Sequence, residues 1–171
     1  LGGLPLKGHL DGTASLFLDK TGQRLQGGSV NLTSKAMTLG PGPLPFDTGF
    51  GKFEIKLTTL GDVVIKADVE ENKLQVHDIS TTGPDVIFEA AGYIALANTI
   101  SSSSARISAR VKPSKSFLEQ NDLQGVLDVD PKVRRAKSGE YYGFIVNGPV
   151  KRLKPIPNKR AANGIEKGGK K

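Results

Sequence analysis

Between Val63 and Lys112 the chain alternates apolar and polar residues with a period of two, and this constrains the fold more than any other feature. Successive side chains of an extended strand point to opposite faces, so such a run buries one face only as part of a sheet. Val63, Ile65, Ala67 and Val69 alternate with Lys66 and Asp68, and Leu74 and Val76 with Gln75 and His77. Ala105, Ile107, Ala109 and Val111 alternate with Arg106, Ser108, Arg110 and Lys112, the pattern of a strand with one wet face. In the strand carrying Val86, Phe88, Ala90, Gly92, Ile94 and Leu96, the other parity (Ile87, Ala91, Tyr93, Ala95) is also mostly apolar, so this strand is expected to be central and covered on both faces.

The same period extends outward in both directions. Leu6, Leu10, Ala14, Leu16 and Leu18 share a parity, which predicts a long half-buried strand, and Val30 and Leu32 continue after Thr21-Gly22. Leu39–Phe46 holds three prolines and two glycines and reads as a loop. Phe53, Ile55 and Leu57 predict a strand that turns at Gly61-Asp62 into the strand of Val63, giving a hairpin. Further turns are expected at Glu70–Lys73 and Gly83-Pro84-Asp85. Ser116-Phe117-Leu118-Glu119 has capping-box spacing and predicts one short helix, followed by a last strand at Glu140–Val146. The sum is a mainly β chain: a curved antiparallel meander of about eight strands forming a groove or half-barrel, with one short helix near its C-terminal end.

Charge divides the chain. The net charge is +7, and residues 151–171, with eight Lys and Arg against Glu166 alone, account for all of it. A neutral body with a basic end argues against a folded nucleic-acid-binding surface. The expected organisation is one β domain over residues 1–157 and a basic, disordered tail over 158–171. Within the basic end, Lys151, Arg152, Lys154, Lys159 and Arg160 are the candidates for contact with anionic lipid.

Candidate chemistry is sparse. With no cysteine, disulfides, thiolate nucleophiles and sulfur-ligated zinc are excluded. His9 and His77 alternate with apolar strand positions and have no G-x-S-x-G nucleophile turn to serve. Asp128 and Asp130 stand two apart, but calcium wants six or more oxygens and no EF-hand spacing surrounds them. Gly40-Pro41-Gly42-Pro43 and Gly49-Phe50-Gly51 lack the Lys-Ser/Thr of a phosphate loop. No catalytic residue, metal ligand or cofactor site is expected, and the chain reads as a non-enzyme. What remains is apolar surface: Phe53, Ile55, Leu57, Val86, Phe88, Ile94 and Leu96 are the candidates for an apolar groove, which can equally be a closed core.

Several stretches in order carry a resemblance: Gly28–Leu32, Pro43-Leu44-Pro45-Phe46, Lys73–Asp85, Ala91–Leu96, the alternating Ala105–Lys112, and the closing strand ending at Asn147-Gly148-Pro149-Val150 with Pro155 and Pro157. Over Gly27–Pro157 the chain resembles the periplasmic domain of the bacterial type II secretion system protein N (GspN) family; the Lys-rich end after Asn158 departs from that pattern. The resemblance implies a non-enzymatic accessory or structural component of the secretion apparatus. It would be periplasmic, tethered to the inner membrane by an N-terminal helix absent from this chain, with other envelope proteins as partners. The start at Leu1 fits that expectation. The alternative is an envelope protein whose β-groove binds or transfers lipid.

Overall fold

A computed structural model describes residues 4–21, 25–43, 54–70, 72–97, 99 and 102–165. Its strands are β1 (Leu6–Leu18), β2 (Leu25–Leu39), β3 (Gly42–Pro43), β4 (Glu54–Ile55), β5 (Thr58–Glu70), β6 (Lys73–Thr81), β7 (Val86–Ala95), β8 (Ser104–Pro113), β9 (Lys137–Ser138), β10 (Tyr141–Pro149) and β11 (Lys154–Pro157). The short helices are α1 (Lys115–Gln120), α2 (Val126–Val129), α3 (Pro131–Arg135) and α4 (Lys159–Asn163). β3 and β4 form a separate two-stranded ribbon, and every other strand joins one antiparallel sheet in the order β1-β2-β5-β6-β7-β8-β10-β11, with β9 also on β10. Apart from the β3–β4 ribbon and β9, the strands pair in chain order, so the curved meander expected from the alternation is what forms, and it does not close into a barrel.

Register explains why one sheet suffices. Ladder partners share a face, and the pairs Val30↔Ala67, Ala67↔Val76, Val76↔Gly92, Gly92↔Ile107 and Ile107↔Val146 carry one apolar row across six strands. On the other face Glu89↔Arg110 and Lys66↔Asp78 pair polar with polar. The Arg110 guanidinium donates to a Glu89 carboxylate oxygen through both Nε (3.1 Å) and Nη2 (2.8 Å).

Four expectations need correction. β1 is not half-buried: it is an edge strand, every residue of it is exposed, and Leu10, Leu16 and Leu18 stand 53–58% exposed. An edge strand gains cover from one neighbour only, and nothing among the described residues lies over this row. Gly61-Asp62 does not turn a hairpin. Residues 58–70 run as one strand, and Gly61 (φ 66°) takes up a register irregularity opposite Met37, where a left-handed residue makes a bulge. The predicted helix is capped by Ser114, not Ser116; the Ser114 hydroxyl oxygen accepts from the Phe117 amide at 3.1 Å. It is also one of four short α-helices among the described residues.

The fourth correction lies at the C-terminal end, where the chain does not become a free tail at Asn158. Asn158 caps α4, its Oδ1 accepting from the Ala161 amide at 3.0 Å, and Ala161 and Ala162 are buried. Gly143 of β10 makes that seat: a Cβ there would run into the backbone of Asn158 and Ala162. Small side chains on the helix and none on the strand let two backbones approach closely, which lysine-rich composition conceals.

Candidate apolar face and its clasp

The apolar face is closely packed along its alanines and valines and more open at its isoleucines and phenylalanines. Ala67, Ala90, Ala105 and Ala109 are buried together with Val63, Val69, Val76 and Tyr142, while Ile65, Ile79, Phe88, Ile94, Ile107 and Phe144 on the same face are partly exposed. A small side chain is covered by its larger ladder neighbours more readily than they are by it, and no second sheet stands across from this face among the described residues. Several partly exposed isoleucine and phenylalanine side chains side by side form a contiguous apolar surface of the kind that marks a binding face.

Of the predicted groove residues, Val86, Phe88 and Ile94 lie on this face through their pairs Pro113, Val111 and Ala105. Leu96 lies just past β7, its amide donating to the Asn72 carbonyl at 2.6 Å. Ile55 is buried in the β3–β4 ribbon and does not line the face, and Leu57 is exposed outside any strand. The prediction failed because Ile55 belongs to a separate ribbon and Leu57 to the link between that ribbon and β5. Phe53 lies outside the described residues. The face residues missed were Ile65, Ile107 and Phe144, which the alternation marks once the register is known, and Ile79, which reaches the face only through the register irregularity between Val76 and Ile79.

One end of the sheet is tied. The ribbon between β2 and β5 and the helical segment after β8 emerge at the same end of the strands, and they meet there. The Lys56 amide donates to Asn121 Oδ1 at 2.6 Å, while Asn121 Nδ2 donates to the Phe117 carbonyl at 2.8 Å. Asp85, in the β6–β7 turn, accepts from the Thr59 amide at 2.6 Å through Oδ2 and from the Ser114 amide at 2.8 Å through its carbonyl. Asp85 and Asn121 thereby clasp three connections together. Asn121→Ala removes the acceptor of the Lys56 amide and is expected to cost about 1–2 kcal/mol, measured by urea unfolding.

Titratable side chains are arranged as structural pairs. His77 Nε2 lies 2.9 Å from Asp68 Oδ2, and His9 and Asp11 form an exposed pair at 3.8 Å. Asp128 accepts from the Tyr142 hydroxyl at 3.2 Å and faces Lys137 at 3.8 Å, whereas Asp130 caps α3 through the Lys132 amide at 2.7 Å, so the two aspartates serve different contacts. Among the described residues no cluster of three metal-ligating side chains occurs. Hydrogen bonding and charge from Lys112, 2.5 Å away, hold the Glu140 carboxyl below its usual range, and Glu140 in turn raises Lys112; both sit in water.

Lys151 and Arg152 lie in a 3-10 turn, Lys154 in the edge strand β11, and Lys159 and Arg160 in α4, which packs on β10 and β8; all five are exposed. No helix among the described residues is long and apolar enough to cross a membrane. Compared with family models, curated proteins and solved structures, the chain matched none.

Proposed function

We propose that this chain is a non-enzymatic envelope protein that binds apolar partners on one face of its sheet, in the role its resemblance implies: an accessory component of a type II secretion apparatus that contacts other envelope proteins. The observation that carries the binding role is the partly exposed apolar face of β5–β10, which a single sheet leaves without a second layer among the described residues. Strand β1 adds a second contact surface, a thirteen-residue edge whose ladder groups face outward and which another extended segment can lengthen. Affinity capture from envelope extracts, with this chain and with a Leu10→Lys/Leu16→Lys variant, tests it. Recovery of secretion-apparatus components by the parent chain and their loss with the variant is the expected result, and equal recovery by both removes β1 from the interface.

Partly exposed isoleucine and phenylalanine side chains beside a buried floor of alanine and valine favour a second reading, in which the face holds acyl chains. Native mass spectrometry of the purified chain separates the two: a co-purifying lipid supports the groove, and a lipid-free chain that still captures envelope proteins supports the scaffold.

A further inference from the structure

The face opposite the apolar one carries, from β8 to β11, a basic surface with no ion pair among the described residues. Tyr93↔Arg106, Arg106↔Asn147 and Asn147↔Lys154 are successive ladder partners, so Arg106 and Lys154 stand on the same face two strands apart, about 10 Å by strand spacing. α4 packs on that face beside them, leaving an open cleft of about 530 Å³ whose lining includes Tyr93, Arg106, Ser108, Asn158 and Arg160, and no acidic residue. Two guanidinium groups therefore line one cleft. Neither is in an ion pair among the described residues, and neither are Lys154 or Lys159. The acids closest in sequence or register are engaged elsewhere: Glu89 with Arg110, Glu140 with Lys112, Asp128 with Lys137. From Tyr141 to Ile165 the chain has no Asp or Glu at all.

Apolar side chains stand among these cations. Ile156 shares the face of Lys154, since it pairs with Ile145 as Lys154 pairs with Asn147, and it is 53% exposed; Leu153 is 40% exposed. Cations interleaved with exposed aliphatic side chains suit a bilayer, where the charges meet lipid phosphates and the aliphatic groups enter the interfacial region. A nucleic acid would supply the phosphates but has no apolar layer to receive Leu153 and Ile156, and the favourable stacking platform for bases is missing from the edge strand itself.

We infer that the α4–β11 edge docks on an anionic phospholipid surface, with Arg106 and Arg160 receiving a headgroup phosphate in the cleft and Lys154, Lys159, Leu153 and Ile156 contacting the surrounding bilayer. This surface is on the opposite side of the sheet from the apolar face, so its test is independent of the function proposed above.

The test is co-flotation of the full chain with vesicles of phosphatidylcholine alone and of phosphatidylcholine with about one third phosphatidylglycerol, the anionic fraction being what raises the surface potential. Binding is expected only to the anionic vesicles and falls as salt is raised. Arg106→Gln/Arg160→Gln is expected to weaken partitioning about thirtyfold, about fivefold for each cation removed from the surface. Lys35→Gln/Lys66→Gln removes two positive charges from the same face at distant strands and serves as the comparison. Equal losses for the two double variants would mean attraction by net charge without a site, and would overturn the inference. So would equal binding to neutral vesicles, or displacement of the chain from anionic vesicles by inorganic phosphate or by a short DNA duplex at charge-equivalent concentration. Circular dichroism of the variants, unchanged from the parent, establishes that any loss is not unfolding.

Discussion

Gly143→Ala unseats α4 and lowers stability by about 2–3 kcal/mol. The added Cβ is directed at the backbone of Asn158 and Ala162, and backbone cannot yield as a long side chain can, so the helix itself has to move. Its departure breaks the 2.8 Å bond from the Asn158 amide to the Gly143 carbonyl and exposes Ala161 and Ala162. Gly164→Ala is the control, since a Cβ there meets nothing within 4 Å and its φ of 167° is ordinary extended backbone; a change within about 0.5 kcal/mol is expected. Urea unfolding measures both. Limited trypsin digestion reads the helix directly, because Lys159 and Arg160 become cleavable only when α4 lifts from the sheet. Equal unfolding curves and equal cleavage for the two variants would show that α4 contributes no packing. The variant also carries Arg160 away from the cleft, so weaker binding to anionic vesicles accompanies the loss of stability.

The parts of this fold that were legible in the sequence are those where one local rule suffices. Alternation gave β7 and β8 their faces: Ala90 and Ala109, at matching parities, are ladder partners, and Ala91 on the other parity is buried as expected of a central strand. Turn residues placed the breaks at Glu70–Lys73 and around Pro84. What was not legible depends on partners distant in sequence. Gly61 has the chemistry of a turn, and only its pairing with Met37 makes it a bulge inside β5. The alanines of α4 acquire meaning from Gly143, a residue whose contribution is the absence of a side chain. β1 shows the reverse case, a well-formed pattern with no second neighbour to bury it. For the candidate site, parity identified Val86, Phe88 and Ile94 but not their neighbours across the ladder, because face membership needs register and register is non-local.

The second large effect concerns those neighbours. Ile79→Asn/Ile107→Asn is expected to abolish apolar-ligand binding, by tenfold or more, while leaving a folded sheet. Ile79 is opposite Ala90, and Ile107 is opposite Gly92, so the two isoleucines flank the small residues of β7. Both are partly exposed but mostly buried, so each side chain contributes most of the 1.5–3 kcal/mol that full burial of an isoleucine brings, and the pair costs about 3 kcal/mol in stability. Val76→Asn, at a position only 4% exposed on the same face, is the contrast: one substitution there places an amide among buried apolar groups and is expected to cost about 3 kcal/mol alone. A fluorescent fatty acid titrated into parent and variants reads binding, and urea unfolding reads stability. A closed core predicts a different ordering, in which Ile79 and Ile107 are as costly as Val76 and the parent binds no fatty acid. Binding that survives in Ile79→Asn/Ile107→Asn would place the ligand elsewhere. The decisive quantity is the ratio of the two losses: a binding face loses affinity faster than stability when its partly exposed side chains are made polar, whereas a core loses both together.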